Sequence, residues 1–188
     1  KGIDKSLKLK VKSYAVFFVL TAPRTVARPR KFPASTLTNA VVGALIVRTS
    51  WLYGKYGKNF VDTILKKAKA KHALEVVDDQ VGSPTYTKDL AKAIHVLLNK
   101  IFTAYSLQLT SYGIYHISNS GSVSWYDYAK EIMRLADLKT SVIPISSEEL
   151  ARPARRPAMS VLDNSKFIKF TGFRIRNWKS ALMEYLKE

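Results

Sequence analysis

The chain has 188 residues, 47% of them hydrophobic, with 31 Lys/Arg against 14 Asp/Glu for a formal charge of +17; this is enough apolar material for one domain with a real core. The absence of cysteine excludes disulfides, thiolate metal sites and thiol nucleophiles, and it suits a reducing compartment, so the cytoplasm is the default expectation. No run of about 18 uncharged apolar residues reads as a membrane span, the longest, residues 14–20, being far too short.

A charge of this size raises the question of nucleic acid, because clustered Lys and Arg neutralise phosphates and release counterions. Its distribution argues against that partner. Residues 1–43 hold nine Lys/Arg against one acid, Asp4, whereas the remaining residues hold 22 against 13. Charges such as Lys66, Lys67 and Lys69 fall on a helical pattern, as on a solvated face.

Residues 1–43 show a Lys-rich start, one apolar run and then scattered Pro and Arg, with no steady period. They read as an atypical, poorly packed segment, or as sequence foreign to the rest of the chain. From Ala44 the pattern becomes regular. Residues 44–49 form an apolar β-branched run suited to a buried strand. Glycines 54 and 57 mark a turn, and Asn59 is placed to cap a helix whose Phe60, Ile64, Leu65 and Ala68 share one face. Residues 74–77 read as a strand and 78–85 as a Gly/Pro loop. Thr87 then opens a helix burying Leu90, Ala93, Ile94, Leu97 and Leu98, and 101–112 reads as a surface connection.

Residues 113–118 are a further strand. Ser124 with Asp127 resembles a capping box, opening a helix to about Leu138 with Ala129, Ile132, Met133 and Ala136 inward. Residues 141–145 read as a short strand, Ser146 with Glu149 as a brief helix, 152–157 as a Pro/Arg loop, and 164–170 and 177–188 as two closing helices. Strands alternating with helices predict an α/β or α+β layer architecture without internal repeats.

Six strings, in order, resemble the dTDP-4-dehydrorhamnose reductases, extended short-chain dehydrogenases that reduce a 4-keto sugar on a nucleotide. They are Ala44-Leu-Ile-Val-Arg-Thr-Ser-Trp-Leu-Tyr-Gly54, Gly57-Lys-Asn-Phe60, Val77-Asp-Asp-Gln-Val-Gly-Ser-Pro-Thr85, Gly113-Ile-Tyr-His-Ile-Ser-Asn-Ser-Gly121, Ser124-Trp-Tyr-Asp-Tyr-Ala129, and Arg152-Pro-Ala-Arg-Arg-Pro157 running into Ser160-Val-Leu-Asp-Asn164. The resemblance implies an α/β fold, the C-terminal part of a Rossmann-type enzyme, with residues 44–188 supplying its last strands and the smaller sugar-nucleotide-binding domain. It also implies NADPH-dependent reduction of dTDP-4-dehydro-6-deoxy-L-mannose to dTDP-L-rhamnose. The family's Gly-rich dinucleotide turn and its active-site Tyr and Lys have no match here, so no catalytic residue is assigned and the chain alone is expected to bind no NADPH. Its partner is then a dTDP-sugar nucleotide, with no membrane, and with a homodimer left open. A non-catalytic sugar-nucleotide-binding relative, or a reductase of a neighbouring keto-sugar nucleotide, remains as an alternative.

Trp51 leads the candidates for substrate contact: an indole at the end of a buried strand can lie against a sugar ring with its N–H free to donate, and the resemblance implies contact with the deoxyhexose. Its alternative is a core aromatic. Thr49 and Ser50 sit where related enzymes approach the nicotinamide, unless they only cap the strand. Asn59, Gln80, Gly82 and Pro84 are candidate substrate contacts, Gln80 as a hydrogen-bonding amide and Gly82 and Pro84 as shapers of a loop that is otherwise a plain turn. Arg152 and Arg156, held beside prolines, suit a diphosphate or else form a solvated basic loop. Tyr126 and Lys130 have the Tyr-x-x-x-Lys spacing of a proton-donor pair, but in the resemblance they fall on a helix beneath the substrate site and read as structural. His72, His95 and His116 lack metal-type spacing, and no metal site is expected.

Overall fold

A computed structural model describes residues 10–12, 15–21, 44–70, 72–103, 113–151 and 153–188. Strands and helices interleave in an α/β arrangement. Strand β3 (Ala44–Thr49) is the pivot of the main sheet, whose order is β1-β2-β3-β8: β3 pairs antiparallel with β2 (Ala15–Thr21), Phe18 opposite Val47, and parallel with β8 (Gly113–His116), Val47 opposite Tyr115. Strand β1 (Lys10–Lys12) pairs antiparallel with β2. Both β1 and β2 fall in the stretch for which no periodicity is expected; the rest of residues 1–43 lies outside the described residues. Burial along β3 alternates, with Leu45, Val47 and Thr49 inside and Ile46 and Arg48 half-buried. The strand therefore presents one fully buried face, as period-two geometry requires.

That face packs on two helices. The first, α2 (Thr87–Thr103), buries Leu90, Ala93, Leu97 and Ile101 against the sheet, with Ile94 and Leu98 half-buried beside them. The helix runs into the stretch expected to be a connection, because Ile101 continues its buried stripe. The second, α4 (Ser165–Thr171), inserts Phe167, which has no exposed surface, and stops at Gly172, whose φ of +74° is the left-handed cap conformation glycine adopts without a Cβ penalty. Its preceding Asn164 spends its side chain on Ser118 instead of the helix, accepting from Ser118 N at 3.1 Å and donating to Ser118 O at 2.8 Å.

A second core lies beyond the C-terminal end of β3, where α1 (Phe60–Ala70), α3 (Trp125–Leu135) and α5 (Trp178–Tyr185) gather around the parallel pair β5 (Ala73–Val77) and β10 (Ser141–Ile145). The buried stripe of α1 is centred on Val61, Ile64 and Ala68, which leaves Phe60 and Leu65 at its edges. In α3, Asp127 N donates to Ser124 Oγ at 3.0 Å, the expected cap. The helix ends at Leu135, short of Leu138, with Ala136 half-buried as the C-cap and Asp137 at φ +52° turning the chain out. Ser146 and Glu149 form their reciprocal bonds, Ser146 N to Glu149 Oε2 at 2.6 Å and Glu149 N to Ser146 Oγ at 3.1 Å, yet only a turn results. The expected helix there is corrected to a turn: Pro153 lies four residues past the glutamate, and a proline denies helical geometry to its predecessor. Two-residue strands complete the fold. Strand β4 (Leu52–Tyr53) pairs parallel with β7 (Thr85–Tyr86), and β6 (Val81–Gly82) pairs antiparallel with β9 (Val123–Ser124).

Asn119, 1% exposed, joins the two cores. Its Oδ1 accepts from Tyr86 N at 2.8 Å, and its Nδ2 donates to Asp89 Oδ2 at 2.7 Å and to Arg176 O at 3.2 Å. Asp89 is also held by Arg176 Nε at 2.8 Å, and Arg176 in turn holds Glu184 of α5. Asn119→Ala strands the Tyr86 N–H in the interior, and denaturant titration is expected to show a loss of about 2–3 kcal/mol with an unchanged slope. By contrast, Lys88→Ala removes a solvent-exposed ion pair with Glu188 and is expected to change the midpoint little.

His116 gives a pH dependence of known sign. Burial first, and the Arg48 guanidinium second, depress its pKa below the ordinary value, with Asp163 opposing. As pH falls through the ordinary histidine range, the unfolded chain takes up a proton that the folded chain resists. The contribution to stability is therefore present above that range and lost on acidification. His116→Asn is expected to flatten the slope of stability against pH just below about 6.5; an unchanged slope would show that His116 titrates alike in both states.

Candidate functional site

Strand β3 ends at Thr49, and the chain turns sharply through Ser50 and Trp51. Both hydroxyl residues are buried, at 0% and 5% exposure. Ser50 Oγ donates to Ser83 O at 2.9 Å, whereas Thr49 Oγ1 has no partner among the described residues. Trp51 has φ +47°, the left-handed region, which is an outlier for a bulky side chain and marks stored strain. Its carbonyl accepts from Thr85 N at 3.2 Å, and the next two residues pair with β7. The left-handed residue thus redirects the chain from the main sheet into the second core.

The Trp51 indole stacks on Trp125, ring centroids 3.5 Å apart and planes within 10°. On its other side lies Gly82. A Cβ added there would fall 2.4, 2.5 and 2.7 Å from Trp51 Cε2, Cζ2 and Nε1. Near-equal approach to a ring-fusion atom and two of its three bonded neighbours places Gly82 over the ring face, and because Trp125 fills one face, Gly82 must cover the other. The indole is sandwiched. Its two faces are covered, and among the described residues no hydrogen bond engages Nε1–H on the remaining edge.

A second feature adjoins the first. A pocket of about 640 Å³ is lined by Asp79, Gln80, Ser147, Arg155, Arg156 and neighbours. Ser147 is its latch: Ser147 N and Oγ donate to Asp79 at 2.9 and 2.6 Å, and Gln80 Nε2 donates to Ser147 Oγ at 2.7 Å. These bonds from Ser147 hold the Asp79 carboxyl below the usual carboxylate range. Past the prolines, Val81 N donates to Ala158 O at 2.7 Å and Ser160 N to Val81 O at 2.8 Å. Residues 148–151 and 153–157 therefore stand along the pocket, between Ser147 and Ala158, which are tied to residues 79–81. Arg156 is half-buried on its wall, and burial pulls its pKa down from the ordinary guanidinium value. Arg152 lies outside the described residues.

The other sequence candidates divide by how their polar atoms are used. Asn59 is a buried N-cap: Asp62 N donates to its Oδ1 at 2.9 Å, and its Nδ2 donates to Gly54 O at 3.1 Å and Asp62 Oδ2 at 2.6 Å. Tyr185 OH donates to Asp62 Oδ1 at 2.6 Å in the same cluster. Pro84 is buried beside Ser83. Trp51, Ser50, Gly82 and Pro84 are brought together, and Gln80 and Arg156 share the pocket two residues away along the chain. Trp125, Ser147 and Arg155 were not among the sequence candidates. Trp125 carried a signal as an aromatic at the first turn of a capped helix, but a sequence does not say which ring it meets. Lys130 Nζ lies 5.0 Å from the centroid of the Tyr126 ring, a cation over a π face. Among the described residues no group of His, Asp and Glu gathers for a metal.

Residues 34–188 match the family model described as RmlD substrate binding domain. The chain is 42% identical over 169 residues to the spore coat polysaccharide biosynthesis protein SpsK of Bacillus subtilis, covering 88% of this chain and 55% of that one. It is 40% identical over 169 residues to the dTDP-4-dehydrorhamnose reductase of Streptomyces griseus, covering 87% and 54%. The crystal structure of dTDP-4-dehydrorhamnose reductase from Bacillus anthracis in complex with NADP superposes with a TM-score of 0.66 at 42% identity, over 75% of this chain and 47% of that one. The chain spans about half the length of the relatives it matches. With the model match covering most of its residues, the chain belongs to the RmlD substrate binding domain family.

Proposed function

We propose that this chain binds a dTDP-deoxysugar nucleotide, as the substrate-binding portion of an NADPH-dependent dTDP-4-dehydrorhamnose reductase. The observation that carries the reading is the adjacency of two unlike features. A rigid indole edge stands at the C-terminal end of β3, where open α/β sheets place ligands, and a pocket holding Arg155 and Arg156 together with Asp79 and Glu148 begins two residues away, where Gln80 lines the pocket and Gly82 covers Trp51. Two residues of extended chain span about 7 Å, less than the length of a sugar nucleotide. The Trp51 Nε1–H is suited to acceptor oxygens of the sugar, and the Arg156 fork to the diphosphate. The exposed Arg155 is the second cation of the lining, which also carries Asp79 and Glu148.

NADPH is the reductant in this reading of the whole enzyme. The described residues do not fit its pyrophosphate. Gly54 packs against the Thr87 side chain and Gly82 against Trp51, so neither leaves bare backbone for a pyrophosphate, and the start of α1 is already capped by Asn59. Thr49 and Ser50 are the residues we assign nearest the nicotinamide, with Thr49 Oγ1 the hydroxyl left to donate. The chain's own task is to bind and orient the sugar. No helix among the described residues is long and apolar enough to cross a membrane, and cysteine-free composition suits a cytoplasmic setting.

Calorimetric titration of the 188-residue chain tests this. Saturable heat with dTDP-L-rhamnose and none with NADPH is expected; no binding of the sugar nucleotide, or tighter binding of NADPH, would overturn the reading. Replacing Arg156 with Lys keeps the charge but loses the bidentate fork, and is expected to weaken binding by about tenfold while leaving the unfolding midpoint in place. Gly82→Ala drives a methyl into the Trp51 ring. Its expected signature is a shifted tryptophan emission together with a loss of roughly 1–3 kcal/mol in stability, as for overpacking; an unshifted emission would mean that the slot yields without moving the indole.

A further inference from the structure

We propose that Trp125 is a positioning residue for Trp51: with Gly82 it forms a slot that holds the Trp51 indole edge-on, so that the ligand meets the N–H edge and never the π face. The inference rests on the reading of Trp51 as a ligand contact, and it adds a residue that itself need not touch the ligand.

Three observations support it. First, the stack is unusually direct. Aromatic pairs prefer offset or edge-to-face arrangements with centroids about 4.5–7 Å apart, whereas Trp51 and Trp125 lie 3.5 Å apart and nearly parallel. Such a face-to-face pair needs outside support, and it has it on both sides: Phe60 lies 4.4 Å from Trp125, and Gly82 is pressed on the far face of Trp51. Second, the Trp51 backbone is in a left-handed conformation that a free chain would leave. Confinement of the side chain between two walls is what over-determines it. Third, both walls stand on one small ladder. Gly82 is opposite Val123 in the β6/β9 pair, Trp125 follows that strand directly, and Trp125 N donates to Gln80 O at 3.3 Å. The slot width is thus set by main-chain bonds, and the ladder that fixes it also borders the pocket through Gln80.

A side chain that merely filled core volume would alter stability without setting ligand affinity through Trp51. The test is a double-mutant cycle on the 188-residue chain, with dTDP-L-rhamnose affinity by calorimetry and near-ultraviolet circular dichroism as the second readout. Trp51→Ala and Trp125→Ala are each expected to weaken binding by about tenfold, and the double variant no more than either alone, because both remove the same oriented edge. The dichroic couplet of the stacked indoles should vanish in both. Trp125→Phe, which keeps a ring in the slot, should restore most of the affinity, and it carries the test if Trp125→Ala does not fold. Wild-type affinity in Trp125→Ala alongside a loss in Trp51→Ala would overturn the positioning role. So would losses that multiply in the double variant, or a loss in Trp125→Phe as large as that in Trp51→Ala. If instead Trp51→Ala binds as tightly as wild type, the ligand-contact reading itself fails and takes the slot's function with it, while saturable binding of dTDP-L-rhamnose would still support the family-level reading.

Discussion

One buried amide holds the two halves of the packing in register. Asn119 follows β8, whose face belongs to the sheet core, yet it receives the Tyr86 N–H from β7 and reaches Asp89 at the start of α2 and the Arg176 carbonyl before α5. An interior amide or carbonyl without a partner costs more than an ordinary hydrogen bond returns. The second core can therefore slide relative to the sheet only by breaking several such bonds together. The consequence runs to the site. Tyr86 belongs to β7, β7 pairs with β4, and β4 begins at the residue after Trp51. The indole's strained backbone is anchored on a strand pair that Asn119 holds in place.

The helices were legible because periodicity of 3.6 and capping residues are local signals. Ser124 caps α3 and Asn177 caps α5, with Lys179 N donating to Asn177 Oδ1 at 2.9 Å. The short strands β4, β6, β7 and β9 were not legible. Two residues cannot display a period, and their pairing is decided by partners dozens of residues away. Residues 78–85 accordingly read as a Gly/Pro loop with candidate contacts, and the short strands within this stretch, which carries one wall of the indole slot and borders the pocket, stayed unseen. The capping pair Ser146 and Glu149 shows the converse case. The local bonds form as the pattern indicates, but a helix also needs residues beyond the cap that can continue it, and the proline-rich segment cannot.

Part of the site was not legible for a single reason: sequence shows which polar groups exist and not which are already engaged. Asn59 has an amide suited to a sugar, but it is occupied with Gly54, Asp62 and the helix start. Ser50 is committed to Ser83, and the Gln80 amide nitrogen to Ser147. The engaged donors narrow the candidates to groups with capacity left, among them the Trp51 Nε1–H and the Thr49 hydroxyl. Gly82 likewise has a sharper purpose than that of a flexible turn residue, since the closest atoms to its missing side chain belong to the indole.

An indole presented by its edge differs chemically from one presented by its face. A π face accepts almost any ring or apolar sugar surface, so stacking gives affinity with little discrimination. A lone N–H at a fixed position demands an acceptor at that position, and a ligand that lacks one leaves a buried donor unpaired, which is the stronger basis for rejection. Under the proposed role, a sugar oxygen must be oriented as well as bound, and a donor that can swing gives orientation away as rotamer entropy. The strained Trp51 backbone, the bare Gly82 surface and the Trp125 ring share one physical effect: they remove that freedom before the ligand arrives, so that binding need not supply it.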